Sequence, residues 1–391
     1  MRYLIFLMIA ICPVTIIAQL SDSRFQESVR ENNKELIALK KLLLATQAEA
    51  KTGLTPENPY IEYGYFPGNT PDLGTKEVFS VSQSFEFPTV YKYQKAVSKN
   101  KIELAKLSYQ LAETEILLDA RLKYCQLVYF SKMLQEHQNR YENAKMLNNA
   151  YQLKFDAGGA SILERNKVKL RQLNEMNNLN NLNTDLLKLK KEMFIINGSN
   201  EPNIPDTAYP VLYLPGRDTI INRILELHPK IKIHEIQEKD AQLNVNLNKQ
   251  NRLPAFEIGY ESESVLDEVY RGLKAGITVP LWHDKNKLKA SKLTAEYVVS
   301  ATEQEKELVI AEYEKLYDKA LSLKKILQEF NNIMTGSANI KYLDKALDLR
   351  QISVVDYYNE LESYYEIIDS YLDTEFEYHK AMARLRNYIN P

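Results

Sequence analysis

Glycine and proline are scarce in this chain, with 12 and 14 among 391 residues. A sequence with so few turn formers supports long uninterrupted helices. Cysteine is almost absent. Cys12 falls in the first apolar stretch, so a processed chain would keep only Cys125 and no internal disulfide. Cys125 reads as a small buried hydrophobe on a helix. An excess of one charge is also missing, because 50 Lys and Arg balance 52 Asp and Glu. With no finger spacing or basic–aromatic stripe, nothing points to nucleic acid. After the leader there is no run of about 20 apolar residues, so any later membrane crossing would have to be made by strands. Metal chemistry is not evident. His228 and His234 stand six apart on a helical stretch, and His137, His283 and His379 are isolated. Met133, Met146, Met176 and Met193 are scattered. No carboxylate pair shows the pocketed acid and base of a hydrolase, so neither enzyme chemistry nor a cofactor is expected.

What is present begins at the N-terminus. Arg2 precedes a mostly apolar Tyr3–Ile17 stretch that Pro13 breaks, and Ala18 offers a cut. This is the pattern of a secretory signal peptide over 1–18. Cys12, with Ile11 before it and Pro13 after, is a poor lipidation site. The remaining length suits two or three compact domains or one elongated architecture.

The chain matches itself. Pro59-Tyr60-Ile61-Glu62-Tyr63-Gly64-Tyr65 answers Pro254-Ala255-Phe256-Glu257-Ile258-Gly259-Tyr260 at an offset of 195. Phe87-Pro88 answers Val279-Pro280, and Ser161-Ile162-Leu163-Glu164 answers Ser353-Val354-Val355-Asp356, both at 192. An internal duplication is therefore expected. Its first copy is 19–196, with strands about 60–66 and 78–87 and long helices about 89–154 and 162–196. Its second is 218–391, with strands about 256–262 and 271–279 and long helices about 281–330 and 354–389. A helix opens each copy, at roughly 22–53 and 218–250. Loops are expected at about 197–217 and 331–341, the first rich in proline and glycine.

The strands alternate. Phe79, Val81, Phe85 and Phe87, with Gln83 as an exception among them, oppose Val78, Ser80, Ser82, Ser84 and Glu86. Ile61, Tyr63 and Tyr65 oppose Glu62 and Gly64. Phe256, Ile258 and Tyr260 oppose Glu257 and Gly259, and Leu273, Ala275, Ile277 and Val279 oppose Lys274, Gly276 and Thr278. Period two means one oily and one wet face. A soluble sheet on a core gives the same signal as a membrane strand. Four strands without closure could not cross a bilayer, so a membrane reading needs several copies of the chain.

The helical stretches favour an extended coil. Thr89 to Lys154 is unbroken, some 65 residues or on the order of 100 Å. Apolar residues recur by threes and fours at Leu104, Leu107, Leu111, Leu118, Leu122 and Cys125, and at Leu182, Leu186, Leu189 and Met193. They recur again at Leu361, Tyr365, Ile368, Leu372, Phe376, His379 and Met382. These are coiled-coil seams. Asp156-Ala157-Gly158-Gly159-Ala160 supplies a tight reversal, and Ser161 with Glu164 has capping-box spacing. Ser353 and Asp356 hold the matching places. The two turns form exposed tips on which another protein could dock. The asparagines at 177, 178, 180, 181 and 183 have no account.

With this order of helix, two strands, long helix, tip and long helix, the chain resembles the outer-membrane efflux (TolC-like) family. The heavy-metal and multidrug outer-membrane factors look closest. Asn58-Pro59, Phe87-Pro88, Asp156-Ala157-Gly158 and the Ser161 and Ser353 tips carry the likeness. The resemblance implies a mostly α fold with membrane β. In it a homotrimer gives four strands per chain to a shared twelve-stranded barrel, and long helices build a periplasmic tunnel. It implies an outer-membrane location with a periplasmic extension, and a passive exit duct that is not an enzyme. The partners implied are a periplasmic adaptor (membrane fusion) protein, an inner-membrane pump and outer-membrane lipid. Segments 197–217 and 331–348 would form a belt, and loops 67–77 and 263–270 would face outside. Glu62, Ser80, Ser82, Ser84, Glu86, Glu257, Lys274 and Thr278 would line the bore, with Tyr63, Tyr65, Phe79, Phe85 and Tyr260 toward lipid. The constriction would hold Asp356, with Asn359 and Glu360 near the next family position, where Asn359 departs from the carboxylate. Asp156, Gly158, Gly159, Ser161, Glu164, Arg165, Arg350, Gln351 and Ser353 would form the tips that meet the adaptor. Among them, Glu164, Arg165, Arg350 and Gln351 would supply polar links between helices. The competing reading is a secreted coiled-coil binding or scaffold protein with a soluble sheet.

Overall fold

The computed structural model describes residues 11–202, 204, 208–266, 268–282, 286–336 and 339–389. His283, most of the leader and parts of both belt segments lie outside the described residues. The elements in order are α1 (Ile11–Asn32), α2 (Lys34–Glu49), β1 (Tyr60–Pro67), β2 (Thr75–Phe85), α3 (Pro88–Asp156) and α4 (Ile162–Ile196). There follow α5 (Arg217–Leu227), α6 (Pro229–Gln250), β3 (Ala255–Val265), β4 (Glu268–Thr278), α7 (Lys287–Gly336), α8 (Asn339–Asp348) and α9 (Val354–Arg386). Among the described residues no helix is long and apolar enough to cross a membrane. The residues group into two compact units, 1–37, 112–226 and 310–391 in one, 38–111 and 227–309 in the other.

The order of elements follows the expectation, but several boundaries do not. Each of the two expected opening helices is split in two. Asn33 ends α1 and caps α2: its Oδ1 accepts the Leu36 N–H at 2.9 Å and its Nδ2 donates to the Ile196 carbonyl at 2.8 Å. Such a side chain competes with the helical ladder and starts a new helix. At 227–229 the break is proline's. Pro229 takes the first helical position, where its missing N–H is not needed, and the His228 imidazole caps the Lys230 N–H at 3.2 Å. The loop expected over 331–341 is largely helical, since α7 runs to Gly336 and α8 starts at Asn339. Strands β3 and β4 are longer than expected, β2 ends at Phe85, and α7 starts only at Lys287. Glu86 and Phe87 therefore leave the sheet, and Pro88 opens α3.

In the first unit the core forms where α1, α3 and α4 meet. Phe25 and Val29 pack on Leu117, Ala120, Tyr124, Leu127 and Val128, and on Leu189 and Met193. Full burial of such side chains stabilises by roughly 1.5–3 kcal/mol each. The α3 seam agrees with the expected one at Leu107 and Cys125, which are buried, and otherwise departs from it: Leu117, Tyr124 and Val128 are buried, whereas Leu118 and Leu122 are half-buried. In α9 the expected Leu361, Tyr365, Leu372, His379 and Met382 are all buried. A buried polar knot closes α4. Asn197 accepts the Ser28 hydroxyl hydrogen at 2.8 Å, and Gly198 turns at φ +68° against the backbone of Asn32. A Cβ there would stand 2.0 Å from the Asn32 carbonyl oxygen.

In the second unit β1-β2-β3-β4 form one antiparallel sheet in sequence order. Tyr60 pairs with Ser82, Phe85 with Phe256 and Ala255 with Thr278, so the helices join the sheet at one end.

Replacing Gly198 by alanine adds a positive-φ penalty to a backbone clash, together at least about 2 kcal/mol. Amide exchange over 28–36 and 193–200 is expected to accelerate accordingly, and unchanged protection would refute the close approach.

Candidate functional site

The second unit's sheet presents two chemically distinct faces. One is polar. Toward the helix end its cross-strand rows read Glu62–Ser80–Glu261–Gly272, Tyr60–Ser82–Gly259–Lys274, Ser84–Glu257–Gly276 and Ala255–Thr278, and toward the other end Gly64–Val78–Glu263–Tyr270 and Phe66–Lys76–Val265–Glu268 mix charged with apolar residues. Seven of the eight expected bore residues thus share a face, and Glu86 is the correction, because it follows the end of β2. The opposite face is apolar. Its rows read Phe85–Phe256–Ile277, Ile61–Val81–Tyr260–Leu273 and Tyr63–Phe79–Ser262–Arg271. Leu273 is 90% exposed, and Tyr63, Ile258 and Ile277 are exposed too. This apolar face is therefore bare in the single chain. Glu261 and Glu263, which the shorter expected strand left out, join the polar face, where Lys274 pairs with Glu261 at 3.6 Å and Lys76 with Glu263 at 2.7 Å.

The first unit contains both tips. They are the same hairpin in hydrogen bonds. At the first, the N–H groups of Ala157, Gly158 and Gly159 donate to the carbonyls of Leu153, Phe155 and Lys154. At the second, Leu349, Arg350 and Gln351 donate to Lys345, Leu347 and Ala346. Each pair is related by the offset of 192 seen in the sequence. Gly158 has φ +71°, and Arg350 takes the matching left-handed place at φ +57° without glycine's freedom. Ser161 then caps α4. Its hydroxyl accepts the Glu164 N–H at 3.2 Å, while the Glu164 carboxylate accepts the Ser161 N–H at 2.8 Å and its hydroxyl at 2.7 Å. Those donors, the backbone one foremost, hold the Glu164 carboxyl below the usual range. Ser353 caps α9 in the same way, accepting the Asp356 N–H at 3.1 Å and donating to Asp356 Oδ2 at 2.6 Å. Asp356, Asn359 and Glu360 are exposed on the first turns of α9. Asp156, at the end of α3, accepts from Gln152 at 2.9 Å.

Of the expected polar links between helices at the tip residues, the one contact among the described residues is Arg165 on Phe155. Glu164 is engaged with Ser161, and the Arg165 guanidinium lies 4.8 Å from the Phe155 ring. Arg350 forms no ion pair among the described residues. The links lie deeper, around Tyr365. Arg140, 3% exposed, grips Asp369 with two bonds of 2.6 and 2.9 Å and sits 4.3 Å over the Tyr365 ring. Glu175, 1% exposed, binds His137 at 2.9 Å and Arg171 at 2.9 Å, and Arg171 reaches on to Glu362. Burial pushes the Glu175 carboxyl up, but the His137 hydrogen bond and the charges of Arg171, His137 and Arg140 together bring it below its ordinary value. The only sequence signal for this cluster was the four-residue spacing of Arg171 and Glu175. Around it, Tyr151, Val168, Val354, Tyr357, Tyr358 and Leu361 make one buried cluster that joins both hairpins.

No metal-holding group of three or more His, Cys, Asp or Glu occurs among the described residues. No family model matches the sequence, and no curated protein is similar to it. Solved structures are. CusC, described for conformational changes accompanying folding and transmembrane channel formation, aligns over 94% of this chain and 92% of its own with a TM-score of 0.80 at 12% identity. The Campylobacter jejuni CmeC outer membrane channel aligns over 94% and 85% with a TM-score of 0.72 at 14% identity. The chain has the fold of outer-membrane channels. A membrane protein from Pseudomonas aeruginosa aligns over 95% of this chain and 92% of its own with a TM-score of 0.82 at 12% identity. Within the channel fold of the present chain, the two-faced sheet and the paired tips are the places where function is to be sought.

Two outcomes are expected of the first unit. Arg350→Gly relieves the left-handed strain and raises local stability by about 1 kcal/mol, read as slower amide exchange over 346–358. His379 stacks 4.1 Å from Tyr209, and its Nδ1 is buried without a partner. Burial first, then the charge of Lys132, lowers its pKa to about 3 from 6.5. The folded ring stays neutral while the unfolded one protonates, so its contribution is intact above about pH 6.5. It is lost by about 1.4 kcal/mol per pH unit as pH falls toward 3. Exchange over 372–386, corrected for intrinsic rate, accelerates across that window, and His379→Phe removes the dependence.

Proposed function

We propose that the protein is the outer-membrane member of a tripartite efflux or secretion system, a passive conduit from periplasm to exterior. The observation that carries the reading is the sheet: an apolar face exposed opposite a polar one, with no strand among the described residues on the outer edges of β1 and β4. Hydrocarbon does not accept unpaired amides, so such a sheet enters a bilayer only when other copies close it. Three copies give an even, closed set of twelve strands, and the likeness in fold to outer-membrane channels supports that arrangement. The Glu62, Ser80, Ser82, Ser84, Glu257, Lys274 and Thr278 face then lines water, and the Ile61, Phe79, Tyr260, Leu273 and Ile277 face meets lipid. The leader over 1–18 delivers the chain across the inner membrane, and 197–217 and 331–348 form the belt.

The tips dock a periplasmic adaptor, which connects the duct to an inner-membrane pump. Asp156, Gly158, Gly159, Ser161, Glu164, Arg165, Arg350, Gln351 and Ser353 form the docking surface. Asp356, with Asn359 and Glu360 beside it, lines the narrowest part of the bore. A ring of three exposed carboxylates favours cations and repels anions. Holding the narrow state is the work of the Arg140–Asp369 and Arg171–Glu362 contacts between hairpins.

Neutralising Asp356 with asparagine is expected to raise conductance of the reconstituted duct or lower its preference for cations. Unchanged conductance and selectivity would sink the constriction assignment. The duct as a whole is tested by fractionation. The protein should sediment with outer membranes and resist carbonate, whereas a soluble, detergent-independent monomer would be the coiled-coil scaffold instead.

A further inference from the structure

The near-neutral total hides a charge asymmetry in the second unit. Its sheet meets its helices at one end, where β2 passes to α3, α6 to β3 and β4 to α7. Residues 87–101 there carry Lys92, Lys95, Lys99 and Lys101 without one Asp or Glu. Residues 241–256 carry Lys249 and Arg252 without an acid, and 286–295 carry Lys287, Lys289 and Lys292 without an acid. Six of these cations, Lys92, Lys95, Lys249, Arg252, Lys289 and Lys292, are exposed and have no ion pair among the described residues. Glu57 and Glu86 are exposed at this end as well, and the cations outnumber them. At the opposite end the balance is reversed: Lys76 is paired with Glu263, and beside Arg271 stand Asp72, Glu77 and Glu268.

The basic end also carries exposed apolar surface. Val279, Leu281 and Trp282, 54, 72 and 78% exposed, follow directly on the strand that bears Ile277 and Leu273. Trp282 is the chain's single tryptophan. An indole beside an oily band is suited to the boundary between acyl chains and headgroups. Unpaired cations at that boundary attract lipids of net negative charge, and a zwitterionic headgroup gives no such net attraction.

We propose that this collar of lysine and arginine holds anionic phospholipid headgroups around the helix-side end of the sheet. The proposal rests on the membrane reading of the sheet given above. The six cations face the phosphates, and Val279, Leu281 and Trp282 lie among the upper acyl carbons. The collar thereby sets the depth at which the sheet stops and the helices begin.

Trp282 makes the test direct. The full-length protein is reconstituted into phosphatidylcholine vesicles containing about a quarter phosphatidylglycerol, with bromine on the acyl chains of one lipid or the other. The expected result is quenching of Trp282 about threefold stronger per mole by brominated phosphatidylglycerol. High salt should abolish the difference, as should the combined K92Q, K95Q, K289Q and K292Q changes. Equal quenching per mole at low salt would overturn the collar and leave the barrel standing. No quenching by either lipid would overturn both. The salt dependence of the unaltered protein decides the matter even where the fourfold variant fails to fold.

Discussion

An open antiparallel sheet has two edges, and here those edges belong to β1 and β4. Among the described residues each leaves a row of backbone donors and acceptors without a strand partner. In water that is tolerable, but in hydrocarbon each unpaired group costs several kcal/mol. The same sheet exposes an apolar face led by Leu273, Tyr63 and Ile277. A face that avoids water and edges that avoid oil are compatible only when the edges are satisfied by more strand. The proposed assembly, the lipid-facing side and the wet bore all follow from this one pairing requirement.

The helical unit meets a different constraint, since long helices must be reversed without leaving their ends unsatisfied. Both tips solve it with the same bonds, a left-handed residue followed by a serine cap. In the first tip glycine takes the left-handed place, and in the second Arg350 does so at a penalty of about 1 kcal/mol. The caps engage Glu164 and Asp356 with their own serines, so the carboxylates are held at helix N-termini, where the helix dipole favours them.

Contacts between the hairpins are made below the tips. Arg140, Glu175 and Arg171 are buried or nearly so, and each is matched by a charge or a polar group. Removing one partner from such a cluster leaves a buried charge uncompensated, which is far costlier than losing an exposed pair. Tyr365 lies between Arg140 and Arg171, 4.3 and 5.5 Å from their guanidinium carbons, so packing and charge act on the same ring.

The order of elements was legible along the chain because it depends on local periods. Alternation of two marked Ile61–Tyr65 and Phe79–Phe85, spacing of three and four marked α9, and Ser161 with Glu164 marked a helix start. The likeness between 153–164 and 345–356 was visible too, since equal offsets in sequence became equal hydrogen bonds. Local pattern alone was enough to place the order of strands and helices, the residues that share a sheet face and the points where the chain turns back, though not every boundary. Packing in three dimensions was needed to show that Asn33 starts a new helix and His228 caps one, that Leu117 and Tyr124 join the α3 seam, and that Glu86 falls outside the sheet. It alone brought His137 to Glu175, 38 residues away, and Arg140 to Asp369, 229 away. Periodicity says which side of an element is buried. Which charge meets which depends on how neighbouring helices pack, and that is not encoded at any fixed spacing.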